Sequence, residues 1–185
     1  KVSIVSHKVQ TTRALIRGIV THGQCQMILV DSPGIFTPKR RLDRAMISTA
    51  WQGAGDADII LFIVDAERGF SGDAKSILES LKDKKQRAVL VLNKVDRLDP
   101  PKLLDLATEA NAVTKFERTF MISALNGSGC DDLLSWLAEA LPEGPWYYPE
   151  DQVSDLPMRS LAAEITREKL FERLHQELPY ASHVE

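Results

Sequence analysis

Cysteine is scarce in this chain: Cys25 and Cys130 stand alone, too few and too far apart for a disulfide framework or a thiolate metal site. That scarcity fits a reducing compartment, and the expected location is the cytoplasm. The four histidines lack metal-ligand spacing and have no nucleophile beside them. No apolar run approaches a membrane span, since the longest, Ile59 to Val64, has the length of a buried strand. No secretory signal is expected at the first residues, which begin at Lys1 without an initiator methionine. Excess positive charge is missing too. With a net charge of -3, nothing in the bulk composition points to nucleic acid or an anionic membrane, and no DNA partner is expected. What is present is a core-forming share of apolar residues, 44%, beside 26% charged residues, as in an ordinary soluble protein. The 185 residues accommodate one full domain and part of a second.

Leu15 to Thr21 and Gln26 to Val30 are expected strands, joined by the turn-like His22-Gly23-Gln24. So short a connection permits only an antiparallel pair. Two near-continuous apolar runs follow, Ile59 to Val64 and Ala88 to Leu92, each ending in a polar residue, Asp65 and Asn93. Such runs belong to strands buried on both faces, as in parallel sheets. A weaker strand is expected from Arg118 to Ile122. Helical periodicity falls at Leu42 to Trp51, Ala74 to Lys84 and Lys102 to Thr114. It is clearest after Asp131-Asp132, where Leu133, Leu134, Leu137 and Leu141 share a face and Pro142 stops the helix. Alternating strands and helices predict a doubly wound α/β domain, whose ligands lie beyond the carboxyl ends of the strands. The proline-rich stretch from Pro142 to Pro157 is expected to be a linker, and Arg159 to Leu178 an amphipathic helix.

Four segments in order carry the chemistry. Asn93-Lys94-Val95-Asp96 leaves a buried strand at the ligand edge. Guanine presents two adjacent donors, a ring N–H and an exocyclic amine, and the Asp96 carboxylate can accept both; adenine leaves it unsatisfied. Asn93 can bond the base edge and tie neighbouring loops together, and the Lys94 stem can lie against the base face. Ser123-Ala124, at the end of the next strand, are small enough for close backbone approach to a base. Asp31-Ser32-Pro33-Gly34, followed by Ile35, ends the second strand; its carboxylate can hold a Mg²⁺-bound water and the Gly34 N–H can meet a γ-phosphate. Gln10-Thr11-Thr12-Arg13 is a switch-like polar stretch in which either threonine could ligate Mg²⁺, with the position beside Arg13 favouring Thr12. Each segment alone is weak; their order and their places at strand ends reinforce one another.

On these residues, and on DSPGIF, NKVD, ISA and the tail AAEITREKLFERLHQELPY, the chain resembles the Era family of bacterial GTPases over essentially all its length. The resemblance implies a P-loop GTPase fold with a mostly parallel, doubly wound sheet, followed by the start of a C-terminal α+β KH-type RNA-binding domain. The implied divisions are a GTP-binding domain at 1–142, a linker at 143–157 and the KH-type start at 158–185. It also implies GTP and GDP as ligands with Mg²⁺, and hydrolysis of GTP coupled to binding ribosomal RNA of the small ribosomal subunit during its assembly. Peripheral association with the inner membrane is a further expectation.

Three departures qualify this. No Gly-rich loop ending in Lys-Ser/Thr occurs, so the residues that would hold the β- and γ-phosphates are missing, with the strand that feeds them. That strand is expected between those ending at Asp31 and Asp65; the native chain is expected to be longer, and these 185 residues alone to fold poorly and bind GTP negligibly. Ile35 stands where Ras-like proteins place a water-orienting glutamine, as the Era resemblance implies, and no catalytic base is assignable. The GxxG loop of a KH domain is absent, and Arg159, Arg167, Lys169 and Arg173 are interspersed with acids, so they form no basic patch. Trp146-Tyr147-Tyr148 are expected to pack rather than to stack on RNA, and Lys82 to Arg87 and Lys39-Arg40-Arg41 to be solvated.

Overall fold

The computed structural model describes residues 2–3, 12, 15–35 and 41–173, with only the backbone described at 41–43 and 171. They form two compact units, one made of described residues within 1–34, 38–53 and 145–185, the other of those within 35–37 and 54–144.

The second unit holds three parallel strands in the order β3 (Ile59–Asp65), β4 (Arg87–Asn93) and β5 (Arg118–Ile122). The uninterrupted apolar run of β4 makes it the central strand, and Val89 to Leu92 have no solvent exposure. Helices α2 (Asp73–Leu81), α3 (Pro100–Val113) and α4 (Cys130–Ala140) connect or follow the strands and contribute Leu78, Leu81, Leu103, Ala110, Leu133 and Leu137 to the core. Phe62 on β3 meets Phe70 and Phe116, each with centroids 6.3 Å away, so β3 is clamped to the loops that follow it and α3. At the far end, Arg87 forms a two-pronged pair with Glu117 at 2.9 and 2.8 Å and donates to the Ala140 carbonyl, closing the C-terminus of α4.

The first unit contains β1 (Ile16–His22) and β2 (Cys25–Asp31), paired antiparallel from Ile16↔Asp31 to His22↔Cys25. Gly23, with φ of 58°, supplies the left-handed turn that joins them. Ile16, Ile19 and Met27 are buried, as are Met46 and Ala50 of α1 (Arg41–Asp56). Helix α1 runs past the expected end at Trp51 through two glycines, and a Cβ on Gly53 would come within 3.1 Å of Leu15. Close packing on Leu15 thus outweighs the low helix propensity of glycine.

The expected linker is fastened to this hairpin. Gln26 donates to the Tyr148 carbonyl at 2.8 Å and accepts from the Tyr147 and Tyr148 amides at 3.0 Å. Trp146 Nε1 donates to Gln24, Ile19 donates to Val153, and Arg17 pairs with Asp155 at 2.9 Å. Helix α5 (Met158–Arg173) follows; the remainder of its expected span, to Leu178, lies outside the described residues. Its Arg167 is buried and paired with Glu164, which fits packing rather than RNA contact for that residue. Among the described residues β2 and β3 belong to separate sheets and share no ladder.

Candidate nucleotide-binding site

The carboxyl ends of β3, β4 and β5 lie in register, with Asp65 opposite Asn93 and Asn93 opposite Ile122. Side chains beyond these ends lace the strands together. Asn93 Oδ1 accepts the amide of Lys94 at 2.8 Å and that of Ala124 at 3.0 Å. Asn93 turns back on the chain because Lys94 adopts the left-handed conformation, φ 68° and ψ 36°, the only positive φ at a non-glycine residue among those described. A short 3-10 turn, Val95–Arg97, follows and leaves the Asp96 side chain exposed, while Val95 is half-buried.

The Ser123-Ala124 loop is built to hold its backbone still. Ser123 donates its amide to Ser128 at 2.9 Å and accepts from Gly127 at 2.8 Å, and Asn126 receives the Ser128 amide. Ser123 is fully buried, and its hydroxyl has no hydrogen-bond partner among the described residues. Gly129 has φ of 72°, and a Cβ there would lie 2.4 Å from the Met121 carbonyl oxygen, so only glycine fits.

The motifs do not single out Asp65. Its carboxylate accepts from Lys94 Nζ at 2.6 Å and from the Glu67 amide at 3.0 Å. Burial pushes this carboxyl up; the Lys94 hydrogen bond and charge, the Glu67 amide and Arg68 outweigh that and hold it below the usual carboxylate range. One sequence signal could have found it: Asp65 ends an apolar run as Asn93 does, and parallel neighbours that end alike present both residues at one edge.

In the other unit, Thr12 is buried and its hydroxyl donates to Asp31 Oδ2 at 3.1 Å, which brings the two expected Mg²⁺ residues together. Pro33 is fully buried; Asp31 and Gly34 are exposed, and Ser32 and Ile35 half-buried. Gln10, Thr11 and Arg13 lie outside the described residues. Among the described residues no three His, Cys, Asp or Glu side chains gather as a metal cluster, and no helix is long and apolar enough to cross a membrane.

A family model described as 50S ribosome-binding GTPase matches residues 1–94, just over half of the chain. GTPase Era of Brucella melitensis is 71% identical over all 185 residues, and GTPase Era of Rhizobium meliloti is 71% identical over the same span. The chain covers 60% and 59% of those relatives, so it spans about three-fifths of their length. Among solved structures, Era in complex with MgGDPNP and nucleotides 1506–1542 of 16S ribosomal RNA superposes with a TM-score of 0.91 at 36% identity, covering 98% of this chain and 62% of that one. A variant of Aquifex aeolicus Era bound to GDP and AlF4- gives 0.89 at 36% identity, covering 97% of this chain and 62% of that one. The α/β P-loop GTPase fold implied by the resemblance is the fold observed; the chain is similar over its whole length to GTPase Era, and it belongs to the GTPase family described as 50S ribosome-binding GTPase.

Proposed function

We propose that these residues form the guanine-reading part, and part of the phosphate-sensing loops, of a Mg²⁺-dependent GTPase switch that binds small-subunit ribosomal RNA during ribosome assembly. The observation that carries the reading is the Asn93 side chain, whose oxygen accepts the Lys94 amide of its own loop and the Ala124 amide of the next, so that one hydrogen bond joins the Asn93–Asp96 loop to the Ser123–Ala124 loop. A base-reading pocket needs two such loops held at fixed separation before the ligand arrives.

In this reading Asp96 accepts the two guanine donors, the Lys94 stem covers a base face, and Val95 completes the turn that presents them. The Ala124 amide is engaged with Asn93, so a base carbonyl would meet another amide of the same loop. Thr12 and Asp31 would hold Mg²⁺, with Asp31 acting through water. Their donors are hard oxygens already in contact, and so small a set suits a cation whose remaining ligands are phosphate oxygens and water. When bound, that ion neutralises charge on the phosphates. The exposed Gly34 amide would meet the γ-phosphate, with Ser32, Pro33 and Ile35 shaping the loop. Gln10, Thr11 and Arg13 complete the switch stretch.

The RNA partner and peripheral contact with the inner membrane rest on the Era likeness, the cytoplasmic location on the scarcity of cysteine and the absence of a DNA partner on the lack of excess positive charge. Ile35 favours a second reading, an RNA-binding assembly module gated by nucleotide with incidental hydrolysis, because isoleucine cannot orient an attacking water. Single-turnover GTP hydrolysis by the full-length chain, with and without small-subunit RNA, separates the two. Marked acceleration by RNA supports the switch; an unchanged, slow rate with nucleotide-dependent RNA affinity supports the gate. Failure of GTP to compete better than ATP for the site would remove both.

A further inference from the structure

The motifs assign Lys94 to the base and leave Asp65 without a role, yet the ion pair between them is the closest contact at this strand edge, 2.6 Å. We propose that Asp65 is a positioning residue for guanine-nucleotide binding, acting by fixing the Lys94 side chain; the proposal rests on the guanine reading above.

The pair is not needed to join the strands. β3 and β4 are already continuous in register to Asp65↔Asn93, and the Ala66 amide donates to the Asn93 carbonyl at 2.9 Å beyond it. Nor is Asp65 loosely placed. Its carbonyl accepts the Arg68 and Gly69 amides at 3.0 Å, and its second carboxylate oxygen takes the Glu67 amide, so the acceptor offered to Lys94 is immobile. Arg68 lies 3.7 Å from the same carboxylate but is mostly exposed, with 76% of its side chain open to solvent; Lys94 is the closer and less exposed partner.

Lys94 is an unexpected residue for its backbone. Glycine or asparagine adopts the left-handed region with less strain, so a lysine there implies a use for the side chain. Anchoring the ammonium removes most of the rotamer freedom of the four-carbon stem before any base is present. A stem ordered in advance does not have to be ordered by the ligand, and affinity rises accordingly.

The test uses the full-length chain and mant-GDP as probe. Asp65→Asn keeps the shape and the Glu67 contact but loses the charge, and is expected to weaken binding about fivefold. Lys94→Met keeps an apolar stem without the ammonium and is expected to lose about as much or more. Adding Asp65→Asn to Lys94→Met is expected to change affinity by less than about twofold, because Asp65 acts through Lys94. Asp65→Glu, which restores the charge, is expected to bind more tightly than Asp65→Asn. Unchanged affinity in folded D65N, or a D65N loss that persists in full beside K94M, overturns the proposal. Should D65N fail to fold, the unsubstituted protein decides: a Lys94 ammonium resonance protected from exchange by its hydrogen bond supports the pair, and a solvent-like one overturns it. If the unsubstituted chain binds no mant-GDP, the guanine reading fails and this proposal with it; if it binds and D65N binds equally well, only the role of Asp65 fails.

Discussion

The Asn93 side chain reaches from the end of β4 to the Ala124 amide, 3.0 Å away, across the gap between two loops that follow different strands. Its oxygen also accepts the Lys94 amide, so one acceptor serves two donors. Asn93→Ala removes both hydrogen bonds at once and leaves the Lys94 and Ala124 amides without this acceptor. A half-buried site deprived of its acceptor is expected to lose about 1–3 kcal/mol of unfolding free energy. Chemical denaturation of the full-length chain measures this, and a loss below about 0.5 kcal/mol would show that the loops are held by other contacts.

Gly129 is expected to tolerate no side chain. Its φ of 72° is left-handed, and a Cβ would meet the Met121 carbonyl oxygen at 2.4 Å, inside contact distance with backbone that cannot swing aside. Gly129→Ala is expected to destabilise the fold by about 2–4 kcal/mol, from backbone strain together with displacement of β5 from α4. A thermal midpoint equal to that of the unsubstituted chain would contradict the geometry.

The Asp65–Lys94 pair gives a pH dependence of definite sign. The folded carboxyl lies below its ordinary value, so the unfolded chain takes up a proton first as pH falls. The contribution is therefore complete above the unfolded value of about 4 and is lost as pH falls through the lower folded value. Side-chain exposure of 44% for Lys94 and 23% for Asp65 screens the pair, which limits the effect to under about 1 kcal/mol. Denaturation midpoints of the parent and D65N are expected to differ at pH 7 and to converge in acid. A difference that grows on acidification would reverse the sign.

The strand ends were legible because β4 is apolar at every interior position and stops at a polar residue; buried parallel strands leave that trace. The same trace marked β3, and its polar terminus, Asp65, could have been paired with Asn93 from the register alone. Lys94's left-handed backbone left no trace, because lysine carries no conformational signature comparable to glycine's. The attachment of residues 146–155 to the hairpin was hidden for a related reason. Gln26 recognises backbone amides and a carbonyl of Tyr147 and Tyr148, and such contacts impose no pattern on the residues that supply them. Helix α1 outran its periodicity because the packing of Leu15 on Gly53 is tertiary, beyond the reach of a local pattern. Adjacency to Arg13 favours Thr12 over Thr11 in the sequence; the Thr12 hydroxyl meets Asp31, and Thr11 lies outside the described residues.

The account turns on Asp96 as the residue that recognises guanine. Asp96→Asn exchanges an acceptor for an amide donor at that point. Xanthine carries a carbonyl oxygen where guanine carries its exocyclic amine, so the asparagine donor suits xanthine and opposes guanine. The decisive measurement is the ratio of GDP to XDP affinity in the full-length chain before and after this substitution. The unsubstituted chain is expected to favour GDP by about a hundredfold or more and D96N to favour XDP. A D96N chain that folds and still prefers GDP to XDP would contradict the assignment of the base to Asp96.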